Sequence, residues 1–396
     1  MPPGRLASGQ TPVLSAASQK HTICLLTSCE PVDYSRFLHR EAKSLARAGY
    51  QVTLIGLSKT VTADLPLDVR LVPVPAGKGI RKLGTLRKIF RVALEQWADV
   101  YQCFDPWALA VGLLMKRGRR AVRVIYEATE GYPRIQLERK DMALPLRWVA
   151  YVLVRLLEYG AVRRADWIID TSRTRARRFT RRGRRVSIVG NLPPIGLVPE
   201  ADGERKPWVV CTGLICRHRG FDVLLRAFAL AAPKLPQARL RVCGGFAQNE
   251  GLEGWSREFL KQTGLESRVD FLGWIPTYRG MFSELQSCSV GAILFQPDWW
   301  NDYTNLPNKL FDFMATGLGV VASRFPEMGR VVEQTGCGWL VDPTDPVSVA
   351  EAIEQALANP EECRARGQAG RRAVLEHYNW GTAERTLLGV YEKIAR

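Results

Sequence analysis

A lysine placed where a helix begins is the first residue of this sequence that suggests chemistry. In the segment NLPNKLFDFMATGLGVVAS (305–323), Asn305 is typical of an N-cap, Pro307 fits a first turn, and the apolar residues recur at helical spacing. Lys309 then falls in the first turn, where backbone N–H groups already carry partial positive charge. A cation is unfavourable there unless an anion lies in front of it. The spacing therefore predicts that Lys309 faces a bound anion.

A second loop has residue types that suit phosphate. In CTGLICRHRGFDVLL (211–225), Gly213 allows a close approach of the backbone, and Arg219 stands directly before a predicted helix. Backbone N–H groups and a guanidinium can then converge on one phosphate group. A glycine-containing loop is a weak signal by itself, and this one gains weight from following a predicted strand.

The elements that must hold these residues follow one plan twice. Apolar strands such as HTICLLTS, YQVTLIGL and ADWIIDTS alternate with helices up to a proline-rich link at 191–207, after which WVVCTG starts a second series. This alternation predicts an α/β fold of two doubly wound parallel-sheet domains facing a cleft. We expect a disordered tail at 1–20, a first domain at 21–190, and a second domain at 208–375. Residues 376–396 are predicted to form a helix that crosses back toward the first domain.

Three segments of the second half resemble a known family. GWIPTYRGMFSELQSCSVGAILF, NLPNKLFDFMATGLGVVAS and GCGWLVDPTDPVSVAEAIEQAL are similar, in order and spacing, to the donor domain of the retaining glycosyltransferase family 4. The first half is more loosely similar, through REAKSLARAGYQVTLIG, DVYQCFDPWAL and VIYEATEGYP. The resemblance implies a GT-B fold, with two Rossmann-like domains, and a nucleoside-diphosphate sugar as donor.

The resemblance also implies roles for the charged helix. In the family, the helix with this Asn-Lys-x-x-acid pattern points its N-terminus at the donor diphosphate, which places Asn308 and Lys309 there. Asp312 lies three residues after Lys309 on the same side of the helix, where its carboxylate can accept hydrogen bonds from ribose. The alternative is that Lys309 and Asp312 form only a local ion pair. Gly213 and Arg219 complete the implied donor site, although the family's other cation of that loop is Leu214 in this chain.

No metal ion or other cofactor is expected. The sequence contains no Asp-x-Asp pair and no His/Cys cluster with metal-ligand spacing. Arg219, Lys309 and helix N-termini would then stabilise the leaving diphosphate as fixed charges.

The sequence departs from the family at the expected catalytic positions. The glutamate that many members keep eight residues before the ribose-binding acid is Thr304 here, whose hydroxyl bonds a sugar less strongly. The histidine that many members place near the sugar corresponds to Phe104 or Thr129. Acids nearby can share that work, and the candidates are Asp105, Glu127 and Glu130. Asp105 is equally well explained as a helix N-cap. The polar loop TSCEPVDYSRF is predicted to shape an acceptor pocket, or simply to cap a helix.

Positive charge is concentrated in the first half. The net charge is +17, with 34 basic against 16 acidic residues in 1–200 and 22 against 23 in 201–396. One basic stretch, 78–97, places apolar residues on one face and cations on its flanks, among them Arg81, Lys82, Arg87 and Lys88. Another, 173–185, contains eight arginines in thirteen residues. Both can be solvated faces, but their excess charge favours an anionic membrane surface or a phosphorylated acceptor. Nucleic acid is disfavoured, since no aromatic residues are interleaved for stacking.

Other features suggest a cytoplasmic protein that docks on the inner face of a membrane. The first 20 residues lack the apolar block of a signal peptide, and the apolar run ALPLRWVAYVLVRLLEYGAV contains charges that disfavour a membrane span. Nine cysteines without a C-x-x-C pair are expected to be reduced.

The predicted activity is transfer of a hexose from a nucleoside-diphosphate sugar to a lipid-linked or surface-polysaccharide acceptor. The reaction is expected to need no metal and to retain the anomeric configuration. Two alternatives remain from the sequence. The missing histidine and glutamate are compatible with a catalytically weak nucleotide-sugar-binding protein, and a nucleotide-sugar epimerase shares the fold.

Overall fold

The computed structural model describes residues 21–58, 69–77, 81–139, 141–198, 200, 203–248, 250–275 and 277–395. The predicted tail at 1–20 lies outside the described residues, as do 78–80 of the first basic stretch. Within those ranges the chain forms two sheets, and every strand pairing in both is parallel.

The first sheet has seven strands in the described part of the chain, in the order 3-2-1-4-5-6-7. They are β1 (Thr22–Pro31), β2 (Gln51–Leu57), β3 (Val69–Val74), β4 (Val100–Cys103), β5 (Arg123–Ala128), β6 (Trp167–Asp170) and β7 (Val186–Ile188). The direction of winding reverses at β1, and folds of this kind bind ligands outside the carboxyl ends of the strands at such a point.

Helices cover both faces of this sheet. A π-helix (Arg36–Ala42) leads directly into α1 (Lys43–Arg47), and the others are α2 (Arg81–Glu95), α3 (Pro106–Gly118), α4 (Tyr132–Glu138), α5 (Leu144–Val162) and α6 (Arg173–Thr180). Because both faces are covered, β4 and β6 are buried along their whole length, as is typical of parallel sheets.

The second sheet repeats the plan with six strands among the described residues, in the order 10-9-8-11-12-13. They are β8 (Trp208–Thr212), β9 (Arg239–Cys243), β10 (Val269–Phe271), β11 (Val290–Ile293), β12 (Gly319–Ser323) and β13 (Gly338–Val341). Its helices are α7 (Phe221–Ala231), α8 (Leu252–Thr263), α9 (Tyr278–Ser287), α10 (Trp300–Thr304), α11 (Asn308–Ala315), α12 (Pro326–Thr335), α13 (Pro346–Ala358) and α14 (Pro360–Glu376). The prediction of two doubly wound parallel-sheet domains is confirmed.

The last helix, α15 (Trp380–Ala395), packs on the first domain. The indole N–H of Trp380 donates to the hydroxyl of Ser44 (2.9 Å), and the Tyr391 hydroxyl donates to Gln102 of β4. Both side chains are buried in a cluster that contains residues of both domains. The two domains are therefore joined by the link before β8 and again by α15.

One local prediction is wrong. Asn305 does not cap the lysine-bearing helix, because α11 begins at Asn308 and Pro307 occupies the N-cap position. The side-chain oxygen of Asn305 accepts instead from the N–H of Leu306 (2.9 Å), and the backbone at Asn305 and Pro307 is extended. Lys309 remains in the first turn of α11.

None of the helices in the described ranges has the length and apolar character needed to cross a bilayer.

Candidate active site in the interdomain cleft

A cavity of about 680 Å³ lies between the two domains, at the carboxyl ends of both sheets. Six of the residues singled out from the sequence line it. From the second domain these are Gly213, Arg219, Asn308, Lys309 and Asp312, and from the first domain Glu130. Glu30 and Tyr34, from the polar segment at the end of β1, also face it.

Two cations meet over a glycine at the end of β8. The Lys309 ammonium donates to the carbonyl oxygen of Thr212 (2.7 Å), not to a carboxylate of its own helix. A Cβ atom on Gly213 would lie 3.6 Å from an Arg219 guanidinium nitrogen and 3.7 Å from the Lys309 ammonium. Gly213 has a φ of +87°, which also favours glycine. Backbone, guanidinium and ammonium thus surround a small space at the cavity wall.

This arrangement is electrostatically incomplete. Burial, and then the charge of Arg219, lower the pKa of Lys309 to about 8. The Nε atom of Arg219 is buried and has no hydrogen-bond partner among the described residues. An anionic ligand would offset the charge of these two close cations and would accept a hydrogen bond from the unpaired buried donor.

Asp312 lies farther along α11 on the same cavity. Burial raises its pKa to about 7, against the opposing charges of Arg40 and Lys309. Arg40 belongs to the first domain and donates to Asn191. Hydrogen bonds donated by polar groups such as sugar hydroxyls would stabilise this half-buried carboxylate, which is costly to ionise.

Asp302 was not identified from the sequence, yet it faces the two cations. Burial raises its pKa to about 6, and Arg219 and Lys309 oppose the rise. Its Oδ2 atom lies 3.8 Å from Nε2 of His218, whose ring stacks on Trp299. Asp302 stands on the short helix α10, two residues before Thr304, and is the acid in the segment between β11 and α11 that lines the cavity with the cations. The sequence signal that could have identified Asp302 was its position between β11 and α11.

Thr304 and Asp105 lie outside the cavity lining. Thr304 is buried, and its hydroxyl donates to the carbonyl of Trp300 (2.9 Å) within α10. Asp105 is fully buried and caps α3, accepting from the N–H groups of Trp107 (3.0 Å) and Ala108 (2.9 Å), as well as from Ser28. The contacts of Asp105 are those of the N-cap alternative.

Glu130 and Gly131 of the first domain bind Asn301 of the second domain, and we call this contact the latch. The Glu130 carboxylate accepts from the side-chain amide of Asn301, and the Asn301 oxygen accepts from the N–H of Gly131 (3.0 Å). Burial raises the pKa of Glu130 to about 7. A Cβ atom on Gly131 would lie 2.3 Å from the ring of Trp300, so only glycine allows this approach. The sequence predicted Glu130 but neither Asn301 nor Trp300 of α10.

Other contacts hold the domains together beside the latch. Glu327 of α12 accepts from both the N–H and the hydroxyl of Thr174 at 2.6 Å, and Ser172 donates to the carbonyl of Thr304 (2.6 Å). These contacts bring the cavity walls of the two domains together.

Glu127, the third acid suggested from the sequence, belongs to a buried network behind the cleft. It pairs with Arg36 of the π-helix (2.7 Å) and accepts from Gln102 (2.6 Å). Arg36 also pairs with Glu41 (2.9 Å). Burial and the neighbouring Glu127 raise the pKa of Glu41 well above its usual range, so the two carboxyl groups share the charge of one arginine.

The basic stretches lie away from the cavity. Arg87 and Lys88 are exposed on α2, whereas the side chains of Arg81 and Lys82 lie outside the described part. On α6, Arg175 is buried against Asp170 (3.1 Å) and Arg178 pairs with Glu158 (3.1 Å). Two of the eight arginines of that stretch are therefore committed to internal ion pairs.

In the described ranges, no group of three or more His, Cys, Asp or Glu side chains is arranged to hold a metal ion.

Both halves of the chain match models of sugar-transferring proteins. Residues 206–359 match the model described as glycosyl transferases group 1, and residues 34–191 match a glycosyl transferase 4-like domain. The two matches together cover most of the chain.

Curated relatives match over a part of their length. A GDP-mannose-dependent α-(1-6)-phosphatidylinositol monomannoside mannosyltransferase of Mycolicibacterium smegmatis is 28% identical over 182 residues, 45% of each chain. A D-inositol 3-phosphate glycosyltransferase of Corynebacterium diphtheriae is 31% identical over 184 residues, 45% of this chain and 40% of the relative. The matched region thus spans about half the length of these relatives or less.

Solved structures match over nearly the whole chain. Sucrose-phosphate synthase from Thermosynechococcus elongatus superposes with a TM-score of 0.75 at 19% identity, covering 95% of this chain and 99% of that one. Anabaena HepE, solved in complex with UDP and glucose, gives 0.68 at 15% identity, covering 94% and 100%. At these identities the likeness establishes a shared fold.

Proposed function

Because the chain belongs to the group 1 glycosyltransferases and has their GT-B fold, we propose that it transfers a hexose from a nucleoside-diphosphate sugar to an acceptor in the cleft. One observation carries the proposal: Lys309 and Arg219 converge beside Gly213 in a cavity that both domains line. The diphosphate would bind these two cations, and Asp312 would accept hydrogen bonds from the ribose.

Asp302 takes the role that the sequence assigned to Thr304. Its carboxylate faces the cavity next to the cations, whereas the Thr304 hydroxyl is occupied within α10. We assign Asp302 to the transferred sugar, where hydroxyl groups can donate to its oxygen atoms. Glu130, on the opposite wall, faces the acceptor side and closes the cleft through Asn301.

The reaction is proposed to proceed without a metal ion. Arg219 and Lys309 supply two positive charges at the position of the leaving diphosphate, and fixed charges in a site that excludes water stabilise a transition state strongly. Retention of the anomeric configuration follows from the family resemblance, and NMR of the product tests it.

The acceptor is proposed to be a lipid-linked or surface glycan. Two relatives point that way by name: the M. smegmatis protein acts on a phosphatidylinositol monomannoside, and the C. diphtheriae protein on an inositol phosphate. The basic first domain suits such phosphorylated acceptors and the anionic inner face of a membrane, which would make the protein cytoplasmic and membrane-peripheral. Replacing Arg87 and Lys88 by Ser is expected to weaken binding to anionic vesicles.

The deciding experiment is a thermal-shift screen of GDP, UDP and ADP against the matching monophosphates. One diphosphate should raise the melting temperature, since a ligand at 100 times its Kd adds about 2.7 kcal/mol to stability. The monophosphate should stabilise much less, because it leaves one of the two cations without a partner. If none of the diphosphates stabilises the protein, the proposed donor site is wrong.

A weakly catalytic nucleotide-sugar-binding protein is a second candidate, favoured by the position of Phe104. This residue is one of the two positions, with Thr129, that correspond to the family histidine; it is buried and stacks on Phe37 with ring centroids 3.6 Å apart. Slow donor hydrolysis in the absence of acceptor identifies a transferase, whereas nucleotide-sugar binding with no turnover identifies the second candidate.

A further inference from the structure

Helix α5 presents an apolar face to solvent. Val149, Val152, Leu153 and Leu156 recur at the spacing of one helix face and are 55%, 45%, 62% and 60% exposed. At its N-terminal end Trp148 is 54% exposed. The residues of α5 that are buried against the domain all lie in its second half, namely Val154, Glu158, Ala161 and Val162. The first half of α5 thus stands out from the sheet, resting mainly on α4.

The acidic side chain of α5 points inward, whereas a basic side chain is exposed. Its one acidic residue, Glu158, is turned inward, where it accepts from the Tyr126 hydroxyl (2.8 Å) and from Arg178 (3.1 Å). Arg155 is exposed beside the apolar face and donates to the Tyr151 hydroxyl (2.8 Å). No exposed carboxylate therefore interrupts the outer face of this helix.

Further arginines continue this surface toward the second basic stretch. Tyr159, at the end of the apolar face, has Arg182 over its ring at 4.7 Å and Arg163 at 5.7 Å. All three side chains are exposed. Apolar side chains bordered by arginines and by aromatic rings with polar tips are typical of helices that lie in a membrane interface.

We propose that α5 lies in the plane of an anionic bilayer, with Val149, Val152, Leu153 and Leu156 inserted among the acyl chains. This inference rests on the membrane docking proposed above and adds the element that enters the lipid. Arg155, Arg163 and Arg182 would meet lipid phosphates at the surface.

The arginines favour lipid over a second copy of the chain. A symmetric dimer through α5 would place the same arginines of both copies close together, because such an interface is self-complementary. Like charges would then face each other without an exposed acid on α5 to pair with them. An anionic headgroup layer satisfies the same arginines.

The test is co-sedimentation of the full chain with vesicles of phosphatidylcholine alone or with phosphatidylglycerol at a ratio of roughly three to one, which makes the surface anionic. The variant Leu153→Ser/Leu156→Ser removes apolar surface without changing charge. Its matched control is Leu230→Ser/Leu375→Ser, two leucines of the second domain that are 50% and 41% exposed. The α5 variant should bind the anionic vesicles at least tenfold more weakly, equal to about 1.4 kcal/mol, and the control should bind as the wild type does.

Fluorescence quenching distinguishes insertion of α5 into the lipid from adsorption of the protein at the vesicle surface. Brominated acyl chains should quench the emission of the wild type more than that of Trp148→Phe.

Equal vesicle binding by the wild type and the α5 variant would overturn the insertion while leaving charge-driven docking intact. Absence of vesicle binding, with a wild-type dimer that the α5 substitutions dissociate, would assign the face to a second copy. Thermal stabilisation by nucleotide, measured on the same variants, should be unchanged and reports separately on the donor site.

Discussion

Replacing Lys309 by methionine should stabilise the ligand-free protein while removing its response to nucleotide. The pKa of Lys309 falls from 10.5 to about 8 because the ammonium is buried beside Arg219. At about 1.4 kcal/mol per unit, the charged lysine costs at most about 3 kcal/mol at neutral pH. Loss of the hydrogen bond to Thr212 offsets about 1 kcal/mol, and residual solvation reduces the cost further. The expected net gain is about 1–2 kcal/mol, or a few degrees in melting temperature.

The pH dependence gives an independent check. The unfolded chain holds the lysine proton up to about pH 10.5, while the folded protein releases it near pH 8. Unfolding therefore takes up a proton between these values, and the stability of the wild type rises with pH relative to the variant. The difference in melting temperature should be largest at pH 7 and should shrink by pH 9.5.

Differential scanning fluorimetry measures both effects, with and without the nucleoside diphosphate that the screen selects. Lys261→Met, at an exposed lysine of α8, is the matched control and should change neither the stability nor the nucleotide response. A lower melting temperature for Lys309→Met, or a nucleotide shift as large as that of the wild type, would refute the reasoning.

Four further predictions concern the same cleft. Asp312→Ala should weaken nucleotide binding about tenfold or more without unfolding the protein, and an unchanged Kd by calorimetry would remove Asp312 from the ribose site. Glu130→Gln should raise the melting temperature at pH 8 but not at pH 4, because a carboxyl with its pKa raised to about 7 loses stability as the pH rises from 4.5 through 7; an equal effect at both pH values would contradict this. Gly131→Ala should push Trp300 away and lower transfer about a hundredfold while nucleotide binding persists, and normal activity would show that the latch is dispensable. Transfer should survive EDTA, whereas full loss that magnesium or manganese restores would require a metal ion in the mechanism.

The regular periodicity of the sequence was sufficient to predict the layered fold. Strands such as β4 and β6 are short apolar runs between helical patterns, and a chain that alternates in this way has few alternatives to a parallel sheet. The sequence predicts the N-cap of α11 two residues early, because both Asn305 and Pro307 are good starting residues and only the extended backbone before the helix separates them.

The acids of the cleft were harder to predict, because their direction depends on packing. Asp302 and Thr304 are two residues apart on α10, so they point to different sides of a short helix. The insertion of Trp300 against Gly131 orients α10, and no local pattern reports that contact between the domains. Asp105 presents a similar difficulty, because an acid before a proline is equally compatible with a helix N-cap and with a catalytic group.

Helix α5 shows a limit of another kind. Its sequence predicts only that the helix does not span a membrane, because it contains charged residues. Which side of an apolar helix meets its own sheet is a tertiary property, and the structure places the side that contains Leu153 and Leu156 outside.

The hydroxyl group of Tyr391 has a consequence for the order in which the chain folds. Gln102 gives its amide N–H groups to Glu41 (2.7 Å) and Glu127 (2.6 Å), and its carbonyl oxygen is satisfied by Tyr391 from the last helix. During synthesis, the first sheet leaves the ribosome with this buried acceptor unpaired and with the site of Trp380 empty. The first domain should therefore reach its full stability only after α15 has been made, so the two halves of the protein mature together although each contains a complete sheet.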